Sequence, residues 1–297
     1  MMFRSLVLLA TLAASTALAA PVSLAPHQAV YELTLLPGSN DFVDAEGRIA
    51  MKLRTDSCGV YDLDYRFVAK FQQEEEVTVT DQQTISTENA AGTRFDFTTK
   101  TFIDGSPEKE IRGAARQEGD ATRVAMQAPV ATSFNLPLSR FPLQHTAELI
   151  ARAKAGDRIV EAKLFDGDDD AKKLLTSTAI ISPNEPATAV PPPPPAAPAA
   201  AVSAAPPETT GTIAKPVARL PVPRSPEIAK TLAGLQSWKI SESYYNSDSD
   251  PDGMPVFQTS YVLYENGVSD DLTLDFGDYG FTGALSQLEL LKPAACE

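Results

Sequence analysis

The sequence predicts a mainly β protein, built from antiparallel strands with a few α-helices. Three observations lead there. The stretch "VYDLDYRFVAKF" puts Tyr61, Leu63, Tyr65, Phe67 and Phe71 on one parity and Asp62, Asp64, Arg66 and Lys70 on the other. That two-residue period belongs to a half-buried strand. Between Tyr264 and Val268 lies "ENG", whose Asn266-Gly267 pair tolerates the positive φ of a tight hairpin. An apolar period of 3.6 residues, by contrast, holds over only two stretches.

Taken in order, the elements are these. Residues 1–19 read as a secretory signal peptide: Arg4 gives a positive start, an apolar run spans Leu6 to Leu12, and Ala17-Leu18-Ala19 fits the small-x-small cleavage pattern. The run is too short to span a membrane. Strand candidates follow in "VYELTLL", "GRIAMKLR", the 60–71 stretch, "EVTVT", "TRFDFTTKTF", "EIRGAAR" and "TRVAMQA". "LQHTAELIARAKAG" is read as a helix, with Leu149, Ile150 and Ala153 on one stripe and Gly156 as its C-terminal stop. The segment 183–226 holds 14 of the 24 prolines, and no aromatic occurs between Phe165 and Trp238. Such a stretch buries too little apolar surface to offset its ordering entropy, so a disordered Pro/Ala-rich insertion is expected rather than a specific partner ligand. "SPEIAKTLAGLQ" is the second helix, with Ser225 as N-cap and Pro226 at the first helical position. "SWKISESYY", "PVFQTSYVLY", "VSDDLTLDF" and "FTGALSQLELL" complete a set of roughly a dozen strands.

Export to an oxidising compartment makes the two cysteines, Cys58 and Cys296, a disulfide rather than free thiols. A bond between them spans the insertion, and the piece after it is near the size where a core alone is marginal. One discontinuous domain is therefore expected: 20–182 and 227–297, interrupted by 183–226. Its composition makes the insertion dispensable. Deleting residues 187–222 should leave the melting temperature unchanged within about 2 °C, at most about 1 kcal/mol for a domain of this size; a larger drop would mean that the segment packs on the domain.

The net charge of −14 argues against nucleic acid and against adhesion to anionic membranes. The two histidines, His27 and His145, stand far apart in sequence, with no metal-ligand spacing and no nucleophile elbow around them, and structural hydrogen bonding is their expected role. "NSDSDPDG" matches the first half of a calcium loop at Asp248, Asp250, Asp252 and Gly253. Thr259 then stands where a bidentate Glu belongs, and Pro251 intrudes, so a solvated turn is expected and any calcium binding should be weak. No glycine-rich phosphate loop appears. These readings describe a protein that is not an enzyme and needs no cofactor.

Four stretches taken in sequence resemble a known family: "SLAPHQAVYELTL"; "FDFTTKTFIDG" with "EIRGAA"; "FPLQHTAELIARAKAGDRIVEAKLFDG"; and "YVLYENGVSDDLTLDFGDYGFTGALSQLELL". They look like the alphaproteobacterial cell-envelope integrity protein EipB and its relatives, over most of residues 24–182 and 225–297. The resemblance implies a soluble periplasmic β-spiral, a broken and cupped antiparallel barrel wrapped around an internal helix. It also implies the Cys58–Cys296 bond. Gly59 departs from the acidic residue that commonly follows the family cysteine. The implied role is support of envelope integrity by a monomer without enzymatic activity, through an envelope component or a periplasmic partner such as a tetratricopeptide-repeat protein. A rival role is a carrier or sensor of lipid or lipopeptide on the concave apolar face, with Tyr61, Tyr65, Phe67, Phe95, Phe97 and Phe102 as candidate lining.

Overall fold

Alternating burial continues from strand to strand until fourteen strands share one sheet. In the computed structural model, which describes residues 22–39, 42–167, 175–184, 224–246 and 253–296, the first eight are β1 (His27–Leu35), β2 (Asp44–Thr55), β3 (Tyr61–Gln72), β4 (Val77–Glu88), β5 (Arg94–Ile103), β6 (Ser106–Glu118), β7 (Ala121–Ala128) and β8 (Thr132–Pro137). Helix α1 (Pro142–Lys154) follows, then β9 (Ile159–Leu164), β10 (Leu175–Pro183), α2 (Pro226–Leu232), β11 (Ser237–Asn246), β12 (Phe257–Tyr264), β13 (Ser269–Asp275) and β14 (Gly280–Leu290). The expected signal peptide at residues 1–19, most of the proline-rich segment and the Asp248–Asp252 loop lie outside the described residues.

The spatial order is β8-β7-β6-β5-β4-β3-β2-β1-β14-β13-β12-β11-β10-β9, with every neighbouring pair antiparallel. The result is a nearly closed antiparallel barrel with one unsealed seam, between β8 and β9. At that seam the backbone of Arg140 donates to Lys163 O at 2.7 Å and accepts from Phe165 N at 2.9 Å, a short parallel bridge. The first and last strands, β1 and β14, pair along their length, so the segments before and after the proline-rich stretch share one sheet.

The sequence reading missed β8, β9 and β10 and stopped β4 at Thr80. β8 and β9 are six residues each, and β8 ends in a proline. β4 extends through "DQQTISTE", which is polar on both parities and so shows no period. β14 lies between β1 and β13, well inside the sheet. The edges are β8 and β9, two of the three strands that went unread.

Both helices form where their signals stand. Ser225 Oγ accepts from Ile228 N at 3.2 Å, with Pro226 following as the first helical residue. At the end of α1, Gly156 adopts φ 87° and Asp157 N donates to Arg152 O at 3.0 Å, satisfying a carbonyl the helix leaves free. α1 buries Leu149, Ile150 and Ala153 in one cluster with Leu53 of β2, Val160 of β9, Ala179 of β10, Ile240 of β11 and Leu263 of β12. Only the inner face of the curled sheet brings those strands together, so α1 fills the lumen. A second cluster gathers Phe95 and Phe97 of β5 with Phe141 and Phe165, which flank the seam; centroids of Phe95 and Phe141 are 5.4 Å apart. These rings close the barrel where backbone pairing does not.

The chain end is held twice. Ala294 N donates to Thr55 O at 2.8 Å and Ser57 N to Ala294 O at 2.9 Å, a parallel bridge beyond β14. Cys296 then forms the disulfide with Cys58 across a sequence separation of 238, with Cα atoms 5.4 Å apart.

Candidate functional site: the polar lumen around α1

α1 enters the lumen with its N-terminal amides satisfied by a carboxylate from the wall. Glu88, the last residue of β4, accepts from Leu143 N at 2.8 Å and Gln144 N at 3.1 Å. A carboxylate here meets both free donors and the positive end of the helix dipole. Gln144 Oε1 accepts from Phe141 N at 3.3 Å and Gln117 Nε2 at 3.1 Å. Burial nevertheless dominates Glu88 and pushes its carboxyl up to about 7, with the two amides pulling the other way. A carboxyl raised from 4.5 to about 7 in the fold stabilises fully below 4.5, and that contribution is lost as pH rises through 7. Urea unfolding of the wild type and Glu88→Gln should show a stability difference that is flat at acid pH. Between pH 4.5 and 7 the wild type should lose ground by up to about 3 kcal/mol. A pH-independent difference would mean that burial does not raise the Glu88 carboxyl above its value in the unfolded chain.

The next residue of α1 faces the other arm: His145 Nε2 donates to Glu242 Oε1 at 2.6 Å. Ser177 Oγ of β10 donates to the same oxygen, and Tyr261 OH of β12 reaches Oε2 at 3.2 Å. Tyr244 of β11 also hydrogen-bonds this carboxylate. His145, Ser177 and Glu242 are all buried. Burial alone would raise the Glu242 carboxyl. The donors from His145, Ser177 and Tyr244 outweigh it and hold the group below the usual carboxylate range. The same carboxylate and burial push Tyr244 and Tyr261 well above the ordinary phenol value, burial being the larger cause. The network ties α1 to three strands of one arm of the sheet, while Glu88 ties it to the other arm.

The chemistry of this cluster follows from who donates to whom. A serine nucleophile needs a base that takes its proton. Here the Ser177 hydroxyl and the His145 Nε2–H both point at one carboxylate, so the histidine nitrogen beside the serine is a donor and not a base.

The predicted residues scatter. Tyr61 joins the α1 cluster and lines a cavity of about 250 Å³ beside the Asn89–Gly92 turn. Tyr65 and Phe67 pack at the other end of the lumen with Tyr31 and Phe281. Phe95 and Phe97 belong to the seam cluster. Phe102 pairs with Asp81, on the opposite parity from Phe95 and Phe97, and so faces the other side of the sheet. The six do not line one pocket. Of the two histidines, His145 joins the Glu242 network and His27 lies inward at the start of β1. Among the described residues no group of three or more His, Cys, Asp or Glu is placed to hold a metal.

A different aromatic row was not anticipated. Tyr244, Phe257, Phe276 and Tyr279 stack in succession at centroid distances of 5.4, 4.8 and 5.0 Å, and Tyr279 meets Phe71 at 5.6 Å. The row crosses four elements, so no local pattern announces it. Glu242 did have a signal: in "SWKISESYY" it occupies the parity of Trp238 and Ile240. An acidic residue at an inward position is expected to be paired.

A single antiparallel sheet curled into an almost closed barrel, with a helix through its lumen, defines a β-barrel-like protein. It matches the crystal structure of a β-barrel-like protein of a domain of unknown function from Brucella abortus, with a TM-score of 0.72 and 28% identity, covering 91% of this chain and 100% of that one. The EipB-like family model matches residues 18–207 and 199–292. The chain belongs to the EipB-like family. It is 29% identical over 281 residues to the cell envelope integrity protein EipB of Brucella abortus (strain 2308), spanning 94% of this chain and 88% of that protein. The name of that relative supports a role in envelope integrity, and among the described residues no helix is long and apolar enough to cross a membrane.

Proposed function

We propose that this protein is an exported, periplasmic, non-enzymatic component that supports the integrity of the cell envelope. It would act as a monomer through contact with an envelope component or a periplasmic protein. The observation that carries the reading is the likeness to the Brucella envelope integrity protein over nearly the whole chain. The Glu242 network supports the non-enzymatic part, because it uses its histidine and serine to anchor a helix. The test is a deletion strain scored for sensitivity to detergent and to wall-active antibiotics, complemented with wild type and with Ser177→Ala. Sensitivity should rise on deletion and return to normal with either allele. An unchanged deletion strain would overturn the envelope role; failure of a folded Ser177→Ala protein would overturn the non-enzymatic one.

A second reading, a holder of lipid or lipopeptide, is favoured by the Tyr244–Phe257–Phe276–Tyr279 row. Phe276 is 38% exposed, so the row includes apolar surface within reach of a ligand. Native mass spectrometry of protein from its own periplasm, with lipid extraction, separates the two readings. A co-purifying acyl species lost in Phe276→Ser supports the holder, and clean apo protein opposes it.

A further inference from the structure

At the other end of β2 and β3 from the aromatic row lies a separate cavity of about 250 Å³ beside α1. Its apolar wall includes Leu24, Met51, Leu53, Leu143, Leu263 and Leu272. Most of its polar neighbours are committed elsewhere. Thr146 Oγ1 donates to Pro142 O at 3.0 Å, Tyr261 OH to Glu242, and Ser269 is engaged by Tyr31. His27 is the exception. Its Nδ1 lies 2.7 Å from Ala25 O, which can only accept, so Nδ1 carries the proton and Nε2 presents a lone pair. The residue is 1% exposed, and Nε2 has no partner. A buried polar atom without a partner is costly, and a native fold that retains one is expected to give it a use. Burial lowers the imidazole below its ordinary value, which keeps that lone pair free of a proton at neutral pH.

We propose that this cavity binds a small apolar molecule, or the apolar end of a larger one, that carries a single hydrogen-bond donor, received by His27 Nε2. The walls set the rest of the chemistry. An apolar cavity of roughly 150 Å³ takes benzene, so this one takes a group on the order of ten non-hydrogen atoms. The donor is a hydroxyl or N–H on an uncharged aryl or short alkyl body, because the wall offers no charge of opposite sign. The site is independent of the aromatic row and of the role in envelope integrity.

The test uses the mature, oxidised chain and two probes that differ only by a hydroxyl, 4-propylphenol and propylbenzene, titrated by calorimetry at neutral pH. The phenol should bind saturably and about five-fold tighter than the hydrocarbon, the worth of one net hydrogen bond. In His27→Leu the two affinities should become equal. In Leu272→Trp, which fills the cavity, both should be lost. Should His27→Leu fail to fold, the wild type still decides: 4-propylphenol should move the 15N resonance of His27 Nε2, and propylbenzene should not. The proposal falls if neither probe binds saturably, as when Nε2 is met by water alone. It falls equally if the two probes bind alike to wild type, or if the phenol leaves the Nε2 resonance unmoved.

Discussion

Replacing Glu242 with alanine should cost about 3–5 kcal/mol. The carboxylate is 2% exposed and receives hydrogen bonds from His145, Ser177, Tyr244 and Tyr261. Removing it strands those donors in a dry interior and opens a cavity between α1 and the wall. Glu242→Gln should fall between, at about 1–3 kcal/mol, since the amide keeps one acceptor and turns its NH2 toward groups that are themselves donors. Urea denaturation under non-reducing conditions measures both. Hydrogen exchange adds the location: α1 amides should lose protection first, because the network is what binds the helix to β10, β11 and β12. A Glu242→Ala protein within about 1 kcal/mol of wild type would show that packing alone holds α1 in the lumen.

Breaking the disulfide should destabilise by about 2–5 kcal/mol, and Cys58→Ser, Cys296→Ser and the double variant should lose similar amounts. Each removes the same bond, so the single losses must not add. The chain-entropy account is strong here because the closed loop spans a separation of 238, for which it gives about 5 kcal/mol as an upper figure. The structure changes where the damage should appear. β14 is paired on both sides and keeps its neighbours without the bond. Exposed amides should therefore be confined to the tail that bridges Thr55–Ser57, and β14 should stay as protected as β1. Peptide mapping without reductant should recover Cys58 linked to Cys296. Two thiols alkylated in the native protein, or loss of protection along β14, would overturn this account.

Much of the fold was legible because the physics that writes a strand is local. A half-buried strand needs alternation, and alternation in "VYDLDYRFVAKF" is visible without a partner. Caps and turns are equally local: Ser225-Pro226, Gly156 and Asn266-Gly267 each satisfy backbone groups within a few residues. Gly267 takes φ 90° and its N–H donates to Tyr264 O at 2.9 Å, as the tight turn requires. The strands that went unread are those whose local signal is weak: β8, with its proline; β9, with only six residues; and β10, which runs into the proline-rich segment.

The candidate site was legible in pieces and never as a site. Parity in "SWKISESYY" puts Glu242 on the face of Trp238 and Ile240, a signal that went unused, and no spacing rule joins residues 145, 177, 242 and 261, since they meet only when α1 enters the lumen. Phe102 shows the reverse failure. Grouped by residue type with Phe95 and Phe97, it faces the other side of the sheet, because the strand's period outranks composition.

The sequence by itself determined most of the strand character and the positions of both helices, which are consequences of local periodicity and capping, and it supplied the two cysteines that the fold brings together. Tertiary structure alone decided that β1 and β14 lie side by side, that the seam falls between β8 and β9, that α1 is clamped by Glu88 from one arm and Glu242 from the other, and that His27, with Nε2 unpartnered, stands in the wall of an apolar cavity. Those outcomes rest on which distant groups share a dry interior, where an unpaired donor or acceptor is expensive, and separation along the chain carries no record of that.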